Sequence, residues 1–303
     1  MLEFTPITLD QKDLYAPYLL CGSHRGCAYS FVNLYLWGRQ KATITEDQLV
    51  IFSQYDRKSV YLFPCGCGDP KPALEAIVRD AKKRGIPCRL VGLSQDDCAL
   101  LETLYPGQLK YHFDRDSFDY VYDINDLADL PGRKFQKKRN HLNRFRQQNP
   151  DYTLEPITAE NLQEAQALAD KWYAMRQAAD PHSDFHMERA ALEKALRHMD
   201  KLDLEGLLLR TADGVVAMTL GSRLSEDTFD IHFEKALDTA DGAYPAINNG
   251  FACYLREKYP ELRYLNREDD LGIEGLRKAK LSYNPDHLIE KSWAHLLEEG
   301  YDY

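Results

Sequence analysis

The sequence predicts an α+β protein of two domains, each a mixed, mostly antiparallel sheet flanked by helices. Three observations carry this. The chain has 303 residues, more than one ordinary domain needs. Short apolar runs joined by polar turns alternate with stretches of helical periodicity. The same order of helix, antiparallel strands, helix, strand, helix and strand occurs in both halves, although no sequence repeat accompanies it. The expected domains are 1–130 and 131–303, the second carrying the site.

Leu14–Trp37 ends in helical spacing through Phe31, Leu34 and Tyr35. Leu49–Ser53 and Val60–Phe63 read as strands joined by the polar turn Gln54–Ser59. Ala73–Arg84 carries the helical stripe Leu74, Ile77, Val78 and Ala81 and stops at Gly85. Pro87–Leu93 reads as a strand, Gln95–Leu104 as a helix closed by Pro106-Gly107, and Tyr111–Tyr122 as one or two strands. In the second half, Asn161–Met175 and Arg189–Met199 read as helices. Gly206–Arg210 and Val215–Arg223 flank the hairpin turn Ala212-Asp213-Gly214. Thr228–Glu234 alternates, with Phe229, Ile231 and Phe233 opposed to Asp230, His232 and Glu234. Ala246–Glu257 reads as a helix, Arg263–Glu268 as a strand, Gly275–Leu281 as a helix and Leu288–Trp293 as the last strand.

Composition narrows the function classes. The chain is 44% hydrophobic, enough to bury a core. No apolar run is long enough to span a membrane, and no signal-peptide core follows Met1. A cytoplasmic location is therefore expected, with the seven cysteines reduced and structural. Cys65-Gly-Cys67 is the one close pair, and no metal site is expected. Walker, GxGxxG, GxSxG and HExxH motifs are all absent. The net charge of -10 argues against a general nucleic-acid coat.

Against that acidic background, Gly132–Arg146 holds seven Lys or Arg residues and no acid. On a helix, Phe135, Leu142 and Phe145 form a packing face, and Arg133, Lys137, Asn140 and Arg144 form a basic ridge. Such a ridge suits an anion; the bland alternative is a solvated helix face. A second constellation is Asn266–Pro285. There an apolar strand runs into Asn266, Arg267, Glu268, Asp269 and Asp270, and the following helix places Leu276, Lys280 and Tyr283 on one side. Lys280 is either functional or a snorkelling side chain. A third is Asp230, His232 and Glu234, which are either proton-transfer groups or the solvent face of a sheet. A fourth, Gly242–Gly250 with Tyr244 and Asn248, could receive an anion at a helix start, though many helices simply begin this way.

The segments Ser30–Trp37, Gly132–His141 and Asn266–Pro285 together resemble an uncharacterised bacterial family. That family is related to the C-terminal synthase domain of phosphatidylglycerol lysyltransferases. The resemblance implies two tandem acyltransferase folds of the Gcn5-related N-acetyltransferase (GNAT) type. It also implies kinship with enzymes that move an amino acid from aminoacyl-tRNA onto phosphatidylglycerol or a peptidoglycan precursor. Leu276-Arg-Lys-Ala-Lys280 matches the family's late lysine helix, which makes Lys280 the first catalytic candidate and Arg277 the second. The sequence departs from its relatives in two ways. No flippase segment is expected before the domain, and the acetyl-CoA pyrophosphate loop is missing from the place that Gly242–Gly250 occupies.

The resulting expectation is an acyl- or aminoacyltransferase acting near a crevice between the domains. Its catalytic set is Glu268, Lys280, Arg277, Glu234 and His232. Its binding set is Arg133, Lys137, Asn140, Arg144, Tyr244, Asn248, Asn266 and Arg267. No cofactor is held tightly, and acyl-CoA or aminoacyl-tRNA serves as an anionic donor. The acceptor is a lipid head group or a peptide. The competing expectation is a doubled transferase fold that senses a phosphorylated ligand without turnover. RNA binding through the basic helix is a third.

Overall fold

The computed structural model describes residues 1–21, 26–55 and 58–297. It divides into two units, each with its own sheet. The first comprises Met1–Asp119, Asp269–Ile273 and Ile289 onward; the second comprises Tyr120–Glu268 and Glu274–Leu288. The division thus falls at 119/120 rather than 130/131, and neither unit is continuous in sequence. The cause lies in the strands. The tail expected as one strand, Leu288–Trp293, is two strands that belong to different sheets.

The first unit contains β1 (Thr5–Pro6), α1 (Lys12–Leu19), α2 (Phe31–Trp37), β2 (Gln40–Thr45), β3 (Gln48–Tyr55), β4 (Lys58–Leu62), α3 (Lys71–Arg84), β5 (Arg89–Leu93), α4 (Gln95–Leu104) and β6 (Leu109–Phe113). Then follow β7 (Asp119–Asp123), α5 (Ile124–Asp129), α6 (Gln136–Gln148), β8 (Thr153–Pro156), α7 (Leu162–Ala179), α8 (His186–Arg197), β9 (Glu205–Thr211), β10 (Gly214–Arg223), β11 (Thr228–Ala236), α9 (Ala243–Lys258), β12 (Tyr264–Asn266), α10 (Glu274–Leu281), β13 (His287–Ile289) and β14 (Ser292–Leu296). The first sheet runs β1-β2-β3-β4-β5-β14-β6, so the chain's last strand lies between β5 and β6. The second runs β13-β7-β12-β11-β10-β9-β8.

Local chemistry explains the ends of several elements. Ser30 caps α2 by accepting from the Asn33 N–H. Ser94 and Asp97 cap α4 reciprocally. The polar turn expected between β3 and β4 includes residues 56 and 57, which lie outside the described residues. Cys21 and Cys67 form a disulfide, against the expectation that all seven cysteines are reduced, and the other five are not disulfide-bonded. Their 46-residue separation hid this pairing from the sequence.

In the second unit, α9 is backed by α5 and α6 on one face of the sheet, and α7 with α8 covers the other. Phe135, Leu142 and Phe145 are buried in the α9-side core, as the helical spacing predicts. Gly242 sits at φ 84° just before α9, where a Cβ would lie 2.9 Å from both the His141 carbonyl oxygen and the Phe145 Cβ. This glycine therefore lets α9 start against α6. The fourth constellation of the sequence is thus explained in part by packing.

Candidate active site

Strands β11 and β12 run parallel, but they pair only through Thr228–Asp230 with Tyr264–Asn266. Beyond this point they part. β11 stays with β10 as far as Ala236. The chain after β12 stays with β7, where the Arg267 N–H donates to the Tyr120 carbonyl and the Tyr120 N–H donates to the Glu268 carbonyl. The result is a wedge opened within one sheet.

A β-bulge marks the opening. Leu220 pairs with Phe233 and Gly221 with Ile231, so His232 is the extra residue in β11. Gly221 accommodates the bend, because a Cβ there would lie 2.3 Å from the Asp230 carbonyl oxygen. The bulge reverses the alternation expected across Thr228–Glu234. Asp230 and His232 stay together. Glu234 turns to the α9 side, where Asn248 meets it, while the next residue, Lys235, turns to Trp172 of α7 and Glu188 of α8. The sequence-predicted face of Asp230, His232 and Glu234 is therefore split in two.

The α9 side of the wedge centres on Glu234. One carboxylate oxygen accepts from Arg267 Nη2 at 2.8 Å and the other from Asn248 Nδ2 at 3.2 Å. The Arg267 and Glu234 side chains are only 13% and 11% exposed. Burial pulls the Arg267 pKa down, but the charge of Glu234 outweighs it with help from the surrounding tyrosines, so the guanidinium is held above its ordinary value. It lies over the rings of Tyr283 and Tyr122, at 5.0 and 5.6 Å from their centres. Lys138 joins this group, with its Nζ 3.7 Å from the centre of the Tyr283 ring. Burial, reinforced by Arg267 and opposed by Glu234, pushes the Lys138 amine down to about 8. Three buried polar atoms around Glu234 have no hydrogen-bond partner: Arg267 Nη1, Asn248 Oδ1 and the Oγ1 of Thr219, the cross-strand neighbour of Glu234.

The other side of the wedge centres on His232. Its Nδ1 lies 3.1 Å from Glu268 Oε1 and 3.7 Å from Asp230 Oδ2, and its Nε2 lies 2.8 Å from Ser222 Oγ. Glu268 sits at φ 55°. It is held in this conformation from two directions. Its N–H donates to Asn266 Oδ1 at 2.8 Å, and Lys280 Nζ donates to the successive carbonyls of Arg267 and Glu268. The carbonyl of Lys280 in turn accepts from the Tyr122 hydroxyl at 2.9 Å. Lys280 is thus buried, as its apolar neighbours suggested, and acts as a clamp on the strand-end loop.

The remaining predicted residues are spread more widely. Tyr244, in the first turn of α9, accepts from Trp172 Nε1 at 3.1 Å. Arg277 is half-buried on α10. Arg133 lies in the turn before α6, and Lys137, Asn140 and Arg144 are exposed along α6, with Arg144 paired to Asp241 at 2.6 Å. Lys138 and Thr219 are functional candidates that the sequence reading missed. For Lys138 a signal existed: it falls at helical spacing with Phe135, Leu142 and Phe145, a lysine on the packing face.

A sheet that opens between two parallel strands, present within a doubled α+β fold, is a fold shared with tandem GNAT-like proteins. The chain belongs to the family described as phosphatidylglycerol lysyltransferase, C-terminal, whose model matches residues 22–295. It is similar to a conserved protein of unknown function from Bacteroides thetaiotaomicron. The identity is 39%, covering 98% of this chain and 100% of that one, with a TM-score of 0.92. It is similar in fold to L-PGS from Bacillus licheniformis, at 16% identity over 100% and 95% of the two chains and a TM-score of 0.70. A tandem GNAT protein from the clavulanic acid biosynthesis pathway shares the fold at 11% identity over the full length of both chains, with a TM-score of 0.51. An uncharacterized protein of Mycoplasmoides gallisepticum is 25% identical over 180 residues. That match covers 58% of this chain and 55% of the relative's length, so the chain spans about half of this curated relative. Among the described residues, no helix is long and apolar enough to cross a membrane.

Proposed function

We propose that this protein transfers an aminoacyl group from aminoacyl-tRNA to an amine or hydroxyl acceptor such as a lipid head group or a peptide. One observation carries this reading: the three residues that meet Glu234, namely Arg267, Asn248 and its cross-strand neighbour Thr219, each hold a buried polar atom without a hydrogen-bond partner. Arg267 Nη1 is a donor suited to a carbonyl or carboxylate oxygen. Asn248 Oδ1 and Thr219 Oγ1, beside the Glu234 carboxylate, are acceptors suited to an ammonium group. An α-aminoacyl ester presents both groups two bonds apart, whereas a simple acetyl group offers no ammonium.

In this reading the acceptor attacks the ester carbonyl. Glu268, steadied by His232, takes the acceptor's proton as the new bond forms. The ester C–O bond then breaks, and the departing tRNA hydroxyl regains a proton. Arg267 and Lys138 offset charge on the tetrahedral oxygen. Lys280 positions Glu268 and Arg267 through their carbonyls, and Arg277 flanks them on α10. The exposed ridge of Arg133, Lys137, Asn140 and Arg144 supports the donor's phosphates, with Tyr244 at the α9 end.

The test incubates the full chain with a mixed pool of radiolabelled aminoacyl-tRNA and either phosphatidylglycerol vesicles or amine-bearing peptides. Labelled product is expected. Arg267→Lys should lower turnover by about 10²–10³, the usual effect of losing one oxyanion donor. Binding of tRNA with no transfer to any acceptor would favour the sensor. Undiminished turnover in Arg267→Lys would remove the proposed site.

A further inference from the structure

We infer that Asp230, His232 and Glu268 form a binding site for a divalent transition metal ion of the zinc type. One atom from each side chain, His232 Nδ1 and one oxygen from each carboxylate, lies within 4.8 Å of the other two. Metal–ligand bonds of about 2.0–2.2 Å in tetrahedral geometry place ligand atoms roughly 3.3–3.6 Å apart. The His232 Nδ1 separations of 3.1 Å from Glu268 and 3.7 Å from Asp230 bracket that range. The two carboxylate oxygens lie within 4.8 Å of each other, so a cation that meets all three groups draws these two side chains together.

Burial and the donor set point the same way. The Asp230 side chain is 0% exposed and the His232 side chain 1%, whereas Glu268 is 20% exposed. The trio brings two carboxylates to one imidazole, a nitrogen and oxygen donor set that suits a divalent ion of the zinc type. The exposure gradient also gives an entry path, from the Glu268 carboxylate inward to Asp230.

The fourth residue sets the tautomer. Ser222 Oγ faces His232 Nε2. When Nε2–H donates to Ser222, the Nδ1 lone pair faces the carboxylate oxygens, an arrangement that a cation between them makes favourable. Metal-bound histidines are regularly held by such a contact on the other ring nitrogen. A serine nucleophile activated by His232 is the competing use of the same contacts. It is disfavoured because Ser222 is the inner end of the array and Glu268 the outer one. The imidazole in the donor set favours zinc over magnesium.

This inference goes beyond the transfer reading and revises one step of it, because a cation held by His232 and Glu268 takes that carboxylate out of the role of base; its readout is metal binding in the absence of any substrate. Either proposal can therefore fail without the other. The full chain is stripped with chelator and titrated calorimetrically with Zn²⁺ and, separately, with Mg²⁺. Cobalt substitution reports the ligand field. The expected result is one Zn²⁺ per chain, tetrahedral cobalt bands and little response to Mg²⁺. Glu268→Gln and Asp230→Asn should each weaken Zn²⁺ binding by about 100-fold or more, and Ser222→Ala by about 10-fold. If the buried Asp230→Asn variant fails to fold, Glu268→Gln decides alone, because Glu268 lies at the more exposed end of the trio. The inference is overturned if Zn²⁺ does not bind saturably, or if Glu268→Gln binds it as tightly as the parent, which would place the metal on thiols elsewhere.

Discussion

The ion pair between Glu234 and Arg267 is the most consequential contact in the wedge, and Glu234→Gln tests it without changing side-chain shape. Both partners are nearly buried, at 11% and 13% exposure, so solvent screens the pair weakly. Breaking a buried pair by removing one partner costs about 3–5 kcal/mol. The Gln amide oxygen still accepts from Arg267, which places the expected loss near the lower end, about 3 kcal/mol. At roughly 2–4 °C per kcal/mol for a domain of this size, Tm should fall by about 6–12 °C. Loss of the carboxylate should also lower the Lys138 pKa below about 8, because Glu234 is what opposes the effects of burial and Arg267 there. Urea unfolding of Glu234→Gln, Arg267→Met and the double variant forms a mutant cycle. The double variant should be less destabilised than the sum of the singles, because neither residual charge is then left buried. If each single costs under about 1 kcal/mol, or if the effects simply add, the pair does not organise the wedge.

Three further outcomes follow from the same geometry. Lys280→Met should cost about 2–4 kcal/mol, because two main-chain carbonyls lose a charged donor. It should also speed hydrogen exchange at the amides of Arg267 and Tyr120, which bridge β12 and β7; unchanged exchange would show that Lys280 is no clamp. Gly242→Ala should destabilise by about 2 kcal/mol or more, from a positive φ together with a Cβ pressed on α6; chemical denaturation measures this. For Lys138, the folded pKa of about 8 lies below the ordinary 10.5. The unfolded chain therefore binds more protons between these values, and the parent protein should gain stability as pH rises from about 8 to 10.5 relative to Lys138→Met. Anion binding at the wedge should weaken over the rise through pH 8. Parallel pH slopes for the two proteins would contradict this assignment.

Much of the fold is legible in the sequence where side-chain periodicity is local. Gln95–Leu104 is a helix with those bounds because Ser94 and Asp97 cap it and an apolar stripe follows. The stop at Gly85 is equally plain, since only glycine readily takes the left-handed turn that ends α3. Pairings that depend on distant residues are not legible. Nothing near Leu288–Trp293 shows that its two ends join different sheets, because strand partners are chosen by the rest of each core. Cys21 and Cys67 likewise meet only through the tertiary fold.

The candidate site divides along the same line. Asn266–Glu268 and Lys280 were visible as polar residues at a strand end and a lysine among apolar neighbours. The separation of Glu234 from His232 was not, because one bulged residue reverses every later side chain on a strand. Lys138 shows the converse. Its packing-face spacing was readable, but the charge of the surrounding block drew attention to the exposed ridge instead.

The central claim is that the atoms around Glu234 receive an aminoacyl group. Crystals of the full chain grown with a stable amide analogue of 3′-aminoacyl-adenosine test it directly. The expected result is density with the ammonium against Asn248 Oδ1 and Glu234 and the carbonyl oxygen against Arg267 Nη1. An analogue seated elsewhere, with the Glu234 cluster unchanged, would contradict it.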